Sequence, residues 1–214
     1  MLRDEDKKQI GEILKEMTGP VTFHYFTQTL AGACQYCTET EQLLKELAEL
    51  SENLTLETHN FVNDKELVEE YGIDKIPAIV IQGKNDTGIR FYGIPTGYEF
   101  AAFLQCILML SGAEIQIPQD VQNRLEGVTD PVHIQVFVTP TCPHCTRAAL
   151  AAYQFAMLNE NVRADIVEVS EFPHLAQKYS VSGVPKVVIN ETTSFEGALP
   201  EPMFMDNIEK AVQS

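Results

Sequence analysis

Four of the five cysteines fall into two Cys-x-x-Cys pairs, Cys34-Gln35-Tyr36-Cys37 and Cys142-Pro143-His144-Cys145. Each pair has an aliphatic-proline step at the same remove: Pro77 of Ile76-Pro77 lies 40 residues after Cys37, and Pro185 of Val184-Pro185 lies 40 residues after Cys145. One such pair can bind metal, form a fixed bridge or exchange disulfides, but a pair repeated with a fixed proline partner is a much narrower signal. Exchange needs a thiolate that attacks a disulfide sulfur and a second thiol near enough to resolve the mixed disulfide. Cysteines separated by two residues at the first turn of a helix meet both needs. The side chains can be bridged, and the helix N-terminus favours a negative sulfur by about 0.3–1 kcal/mol, or about 2 when partly buried. Cys34 and Cys142 are expected to be exposed nucleophiles, and Cys37 and Cys145 buried resolving thiols.

The two pairs differ in their neighbours. His144 can bring positive charge to the Cys142 thiolate and Arg147 follows in the next turn, whereas Gln35 and Tyr36 are uncharged and Glu39 and Glu41 follow. One pKa unit is about 1.4 kcal/mol, and ~30 mV is the same energy for a two-electron couple, so modest charge differences separate potentials. The Cys142 pair is expected to be the more oxidising. Pro77 and Pro185 each precede an apolar run, Ala78-Ile79-Val80-Ile81 and Lys186-Val187-Val188-Ile189. A cis X-Pro bond there would leave the backbone of Ile76 or Val184 free to pair with an extended peptide, which makes Ile76, Pro77, Val184 and Pro185 candidate substrate-binding residues; a plain turn proline is the alternative. Cys106, beside Phe103, Ile107 and Leu110, reads as a buried inert thiol. His24, His59, His133 and His174 have no repeated partner and are assigned no catalytic role.

The elements that must carry these residues are themselves duplicated. Thr18-Gly19-Pro20-Val21 answers Thr129-Asp130-Pro131-Val132, Tyr71 answers Tyr179, and Phe91-Tyr92-Gly93 answers Phe195-Glu196-Gly197. A repeat of this length means two similar small domains rather than a solenoid. Ser111-Gly112 followed by Pro118 marks the boundary, giving residues 1–117 and 118–214. Apolar spacing predicts helices over residues 3–17, 64–71 and 98–110 in the first half, one after Cys34 through Leu50, and strands over 21–26, 54–58, 78–82 and 89–92. The second half repeats the order with helices over 119–125, 142–158, 172–179 and 202–212 and strands over 132–138, 164–169 and 186–190. Alternating strands and helices give an α/β fold, each unit a mixed central sheet covered by helices.

The chain has 214 residues, 44% of them hydrophobic, enough for each half to bury a core. Its 15 Lys and Arg against 31 Asp and Glu leave a net charge of −16, which argues against nucleic acid and anionic membranes as partners. The first eight residues are charged where a signal peptide would be apolar, and the most apolar helix is too short and too polar to span a bilayer. A cytoplasmic protein is expected, and in that compartment paired cysteines are more often catalytic or metal-binding than structural.

These residues carry a resemblance. The tandem Cys34-Gln35-Tyr36-Cys37 and Cys142-Pro143-His144-Cys145, with Val136-Phe137-Val138-Thr139-Pro140-Thr141 and Phe195-Glu196-Gly197, resembles the protein disulfide oxidoreductases of thermophilic archaea and bacteria, glutaredoxin-like proteins built from two thioredoxin-fold units. The resemblance implies a cytoplasmic catalyst of the reduction, formation and isomerisation of protein disulfides. It implies protein substrates, re-reduction by a thioredoxin reductase-type flavoprotein, and no cofactor or metal beyond the redox-active cysteines. His144 stands where such motifs commonly have tyrosine. Phe91-Tyr92-Gly93-Ile94-Pro95 and the tandem build are also similar to the N-terminal module that passes electrons to peroxiredoxins in alkyl hydroperoxide reductase flavoproteins, a module that normally keeps only its second pair. In thioredoxins a buried acid accepts the resolving cysteine's proton; here the corresponding strand position is Val136, so Glu168 is the candidate substitute, with a solvent-facing carboxylate as the alternative. Structural zinc, which would need both cysteine loops to converge across residues 38–141, and a non-catalytic thioredoxin-like scaffold are the remaining readings.

Overall fold

The computed structural model describes residues 1–28 and 34–213. Its first elements are α1 (Asp4–Leu14), β1 (Val21–Thr27), α2 (Cys37–Ala48), β2 (Leu54–Asn60), α3 (Lys65–Glu70), β3 (Ala78–Gln82), β4 (Ile89–Tyr92) and α4 (Tyr98–Leu110). They are followed by α5 (Gln119–Glu126), β5 (Val132–Val138), α6 (Cys145–Leu158), β6 (Val162–Glu168), α7 (Pro173–Lys178), β7 (Lys186–Ile189), β8 (Thr193–Glu196) and α8 (Glu201–Val212).

Contacts gather the chain into two compact units. The first comprises Met1–Asp86, Phe91–Ile94 and Ile107–Ala113, and the second Thr87–Arg90, Pro95–Cys106 and Glu114–Ser214. This grouping differs from a single cut after residue 117. The reason is local bonding within the second unit: the Ala164 N–H donates to the Gly88 carbonyl at 3.0 Å, and the Tyr98 N–H to the Pro140 carbonyl at 2.9 Å.

In the first unit the strand order is β2-β1-β3, followed by the Phe91 and Tyr92 end of β4, with β1 parallel to β2 and antiparallel to β3. A parallel pair needs a crossover, and α2, amphipathic through Leu43, Leu44 and Leu47, supplies it and packs on β1 and β2. The core between them is built from Phe23, Tyr25, Phe26, Ile79, Val80 and Ile81, all fully buried. The second unit repeats this as β6-β5-β7-β8, β5 being parallel to β6 and antiparallel to β7. There α6 is the crossover, and α8 closes the unit by packing on β5, β7 and β8 through Phe204, which meets Phe155 and Phe195 edge-on. Both units are α/β with mixed sheets.

Among the differences from the sequence reading are one added strand and two shifted helix ends. Strand β8 forms over four residues where no strand was expected, because its partner β7 supplies the pairing that its own mixed pattern does not advertise. Helix α1 stops at Leu14, three residues short. Helix α6 starts at Cys145 rather than Cys142, so the nucleophilic position lies just ahead of the helix.

Candidate active site

Each central strand delivers its chain to a cysteine pair. In the first unit Cys34 and Cys37 are disulfide-bonded with Cα atoms 5.5 Å apart; Cys34 is half-buried and Cys37 is buried as the first residue of α2. The buried Tyr25 on β1 donates its hydroxyl to the Cys37 carbonyl at 2.7 Å, tying the start of the helix to the sheet. Thr40 continues the anchoring, its hydroxyl and its N–H both donating to the Tyr36 carbonyl. Residues 29–33, which precede Cys34, lie outside the described residues.

In the second unit Cys142 and Cys145 are likewise bonded, Cα atoms 5.5 Å apart. Cys145 is fully buried, as expected, but Cys142 is only 7% exposed, not open to solvent as expected for the attacking sulfur. The cause is the proline loop: Cys142 Sγ lies 3.6 Å from the Val184 carbonyl oxygen. The Cys145 N–H donates to Cys142 Sγ at 3.2 Å, a dipole aimed where a thiolate would carry charge. His144 is exposed at the N-cap of α6, and Arg147, also exposed, donates to the Ala198 carbonyl.

The proline steps take equivalent positions. Ile76-Pro77 and Val184-Pro185 are both cis, with the prolines buried and Ile76 and Val184 half-buried. The repeated Phe-x-Gly now has a physical role. Gly93, at φ 102°, donates its N–H to the Pro77 carbonyl at 2.9 Å, and Gly197, at φ 84°, donates to the Pro185 carbonyl at 2.8 Å. Both glycines hold the left-handed side of backbone space that side chains disfavour.

Two carboxylates meet in the second unit. Glu168 ends β6 and is buried rather than solvent-facing, its oxygens accepting the N–H groups of Ser170 at 3.2 Å and Glu171 at 3.1 Å. Glu99, in the first turn of α4, reads in the sequence only as a polar interruption of an apolar helix. It is 1% exposed, and neither carboxylate oxygen has a hydrogen-bond partner among the described residues. Burial first and the neighbouring Glu168 charge second push its pKa up to about 8. The turn that carries it is tied to both flanks of the cysteine motif: the Tyr98 N–H donates to Pro140 ahead of Cys142, and the Thr146 hydroxyl, just after Cys145, donates to the Tyr98 carbonyl at 3.0 Å. Gly97 makes this approach possible, because a Cβ there would collide with the Pro140 carbonyl. A lone acid in an otherwise apolar helix is the sequence signal that could have found Glu99. Cys106 is a free thiol, fully buried, with its pKa pushed well up by that burial.

Residues 28–105 and 132–210 each match the family model described as a thioredoxin domain. An alkyl hydroperoxide reductase subunit of Staphylococcus epidermidis is 26% identical over 191 residues, covering 89% of this chain and 34% of that protein. An NADH dehydrogenase of Ferdinandcohnia aciditolerans is 23% identical over 200 residues, covering 93% and 36%. The chain therefore spans about a third of the length of these curated relatives. Among solved structures, a protein disulfide oxidoreductase from Aeropyrum pernix K1 superposes with a TM-score of 0.92 at 29% identity, covering 100% of this chain and 94% of that one. An alkyl hydroperoxide reductase subunit of Enterococcus faecalis superposes with a TM-score of 0.87 at 26% identity, covering 97% and 99%.

Proposed function

Because this chain belongs to the thioredoxin-domain family, we propose that it is a protein dithiol–disulfide oxidoreductase with one complete exchange site in each duplicated unit, residues 1–117 and 118–214. One observation carries the reading: in both units a cysteine pair at bridging distance meets a helix N-terminus in a fold that repeats the same cis-proline step. In the reducing direction the Cys142 thiolate attacks one sulfur of a substrate disulfide, the substrate S–S bond breaks, and one substrate thiol leaves. The Cys145 thiolate then attacks Cys142 Sγ, the mixed disulfide breaks, and the second substrate thiol leaves. Two electrons pass to the substrate and the site is left as its disulfide. Cys34 and Cys37 act in the same way.

Ile76, Pro77, Val184 and Pro185 line the edge where an extended substrate strand pairs, giving affinity through backbone bonds rather than side-chain identity. His144 tunes the Cys142 thiolate from the N-cap of α6. Glu168, buried at the end of β6, and Glu99, the buried carboxyl whose pKa the Glu168 charge helps to raise, are the candidates for exchanging the proton that Cys145 must lose and regain. The cysteine dithiols carry the electron pair that is transferred, so the exchange itself needs no cofactor. Substrates are proteins with thiols or disulfides, the chain works in the cytoplasm, and a thioredoxin reductase-type flavoprotein re-reduces it. Among the described residues no helix is long and apolar enough to cross a membrane. The likeness to the alkyl hydroperoxide reductase proteins supports a second reading, transfer of those electrons to a peroxiredoxin.

Reduction of insulin by dithiothreitol tests the first reading. The parent accelerates it, Cys34→Ser or Cys142→Ser alone lowers the rate partly, and the double variant is inactive. Catalysis surviving in the double variant would remove these cysteines from the chemistry.

A further inference from the structure

Strands β1 and β2 bring together three side chains that the disulfide chemistry does not use. In their parallel register His24 lies opposite Glu57, and His59, two residues further along β2, projects to the same face as Glu57. His24 Nδ1 is 3.2 Å from His59 Nε2 and 3.3 Å from Glu57 Oε2, and His59 Nε2 is 4.0 Å from that same oxygen. Ligand atoms placed about 2.0–2.1 Å from a tetrahedral zinc ion stand roughly 3.3–3.4 Å from one another, so two of the three separations already have the spacing of a bound ion and the third is slightly open. The histidine side chains are nearly buried, 11% and 13% exposed, while Glu57 at 53% forms the outer lip through which an ion and a water ligand can enter.

The surroundings orient the histidines. Tyr71 donates its hydroxyl proton to Gln82 Oε1 at 3.1 Å, and its oxygen lies 3.2 Å from His24 Nε2, placed to accept from a protonated Nε2. The tautomer with its proton on Nε2 turns the Nδ1 lone pair toward His59 and Glu57, the outer-shell arrangement that metal-binding histidines use. Ring packing holds the pose: His24 stacks on Tyr71 at 4.8 Å, and His59 lies against Phe26 at 5.0 Å. The fold does not require this trio. At the same strand positions in the second unit stand Gln135, Asp165 and Val167, although Tyr179 repeats Tyr71.

We propose that the first unit carries a divalent-cation site, zinc by its geometry, made by His24 Nδ1, His59 Nε2 and the Glu57 carboxylate, with one position left to water. Two imidazoles and a carboxylate are a borderline donor set that suits zinc over calcium or magnesium. The ion would clamp β2 to β1.

The test uses the full chain in its oxidised form, so that Cys34, Cys37, Cys142 and Cys145 are held as disulfides and offer no thiolate. Titration with Co2+ should give the visible d–d absorption of a tetrahedral ion, saturating at one equivalent and displaced by Zn2+. His59→Gln and Glu57→Gln should each weaken binding by about tenfold or more, and Zn2+ should raise the melting temperature of the parent but not of His59→Gln. Glu57 is exposed, so its replacement leaves the fold intact, and circular dichroism checks the histidine variant. No saturable signal in the parent, or equal affinity in parent and both variants, would overturn the proposal.

Discussion

A carboxylate buried without a hydrogen bond is costly when ionised, and Glu99 is such a group. Its pKa, raised from 4.5 to about 8, means that the folded protein keeps a proton the unfolded chain has released, so stability falls as pH rises through that window. The oxidised protein should therefore lose on the order of 4 kcal/mol between about pH 5 and about pH 8 from this residue, and Glu99→Gln should remove most of that slope in denaturant titrations. Equal slopes in parent and variant would mean that Glu99 is ionised in the fold. At this scale the cysteines and prolines were legible because their types and spacing recur. Glu99 was not, because its role depends on α4 being anchored beside Pro140 and Thr146, which no local pattern encodes. The burial of Cys142 was missed for the same reason: the Val184 carbonyl that covers it comes from a distant loop.

The strands and helices were legible wherever apolar spacing decides the element, as in β1, β5, α2 and α4. They were less so where a partner decides it, as in β8. Element β6 shows how charge can sit inside such a sheet. Asp165 is buried at its centre; desolvation alone would raise its pKa, but the hydrogen bond and charge of His133 and the Arg163 guanidinium outweigh burial and hold it at about 2. A depressed carboxylate stabilises the fold above its ordinary pKa of 3.8 and loses that contribution as pH falls toward 2. Asp165→Asn should cost about 2 kcal/mol near neutral pH, less than the ~3–5 of a fully buried pair because His133 and Arg163 are partly exposed. The gap between variant and parent should close between about pH 4 and about pH 2. A cost that is the same at both ends would assign the effect to packing rather than charge.

For the whole molecule, the duplication was legible because cysteines, prolines and Phe-x-Gly recur at near-constant offsets. The grouping of residues 87–90 and 95–106 with the second unit was not, since it follows from bonds to β6 and to the Pro140 loop. Duplication with both cysteine pairs intact predicts two independent two-electron centres, and the neighbours His144 and Arg147, against Glu39 and Glu41 at the first pair, predict that the Cys142 pair is the more oxidising. The direct measurement is the reduction potential of each pair, taken in variants whose other pair is serine, equilibrated in a thiol redox buffer and counted by alkylation of the released thiols. Each pair should titrate as one two-electron step within the range of exchange catalysts, about −120 to −270 mV, with the Cys142 pair at the less negative potential. Pairs that stay oxidised below about −300 mV, the range of fixed structural bridges, would contradict the account.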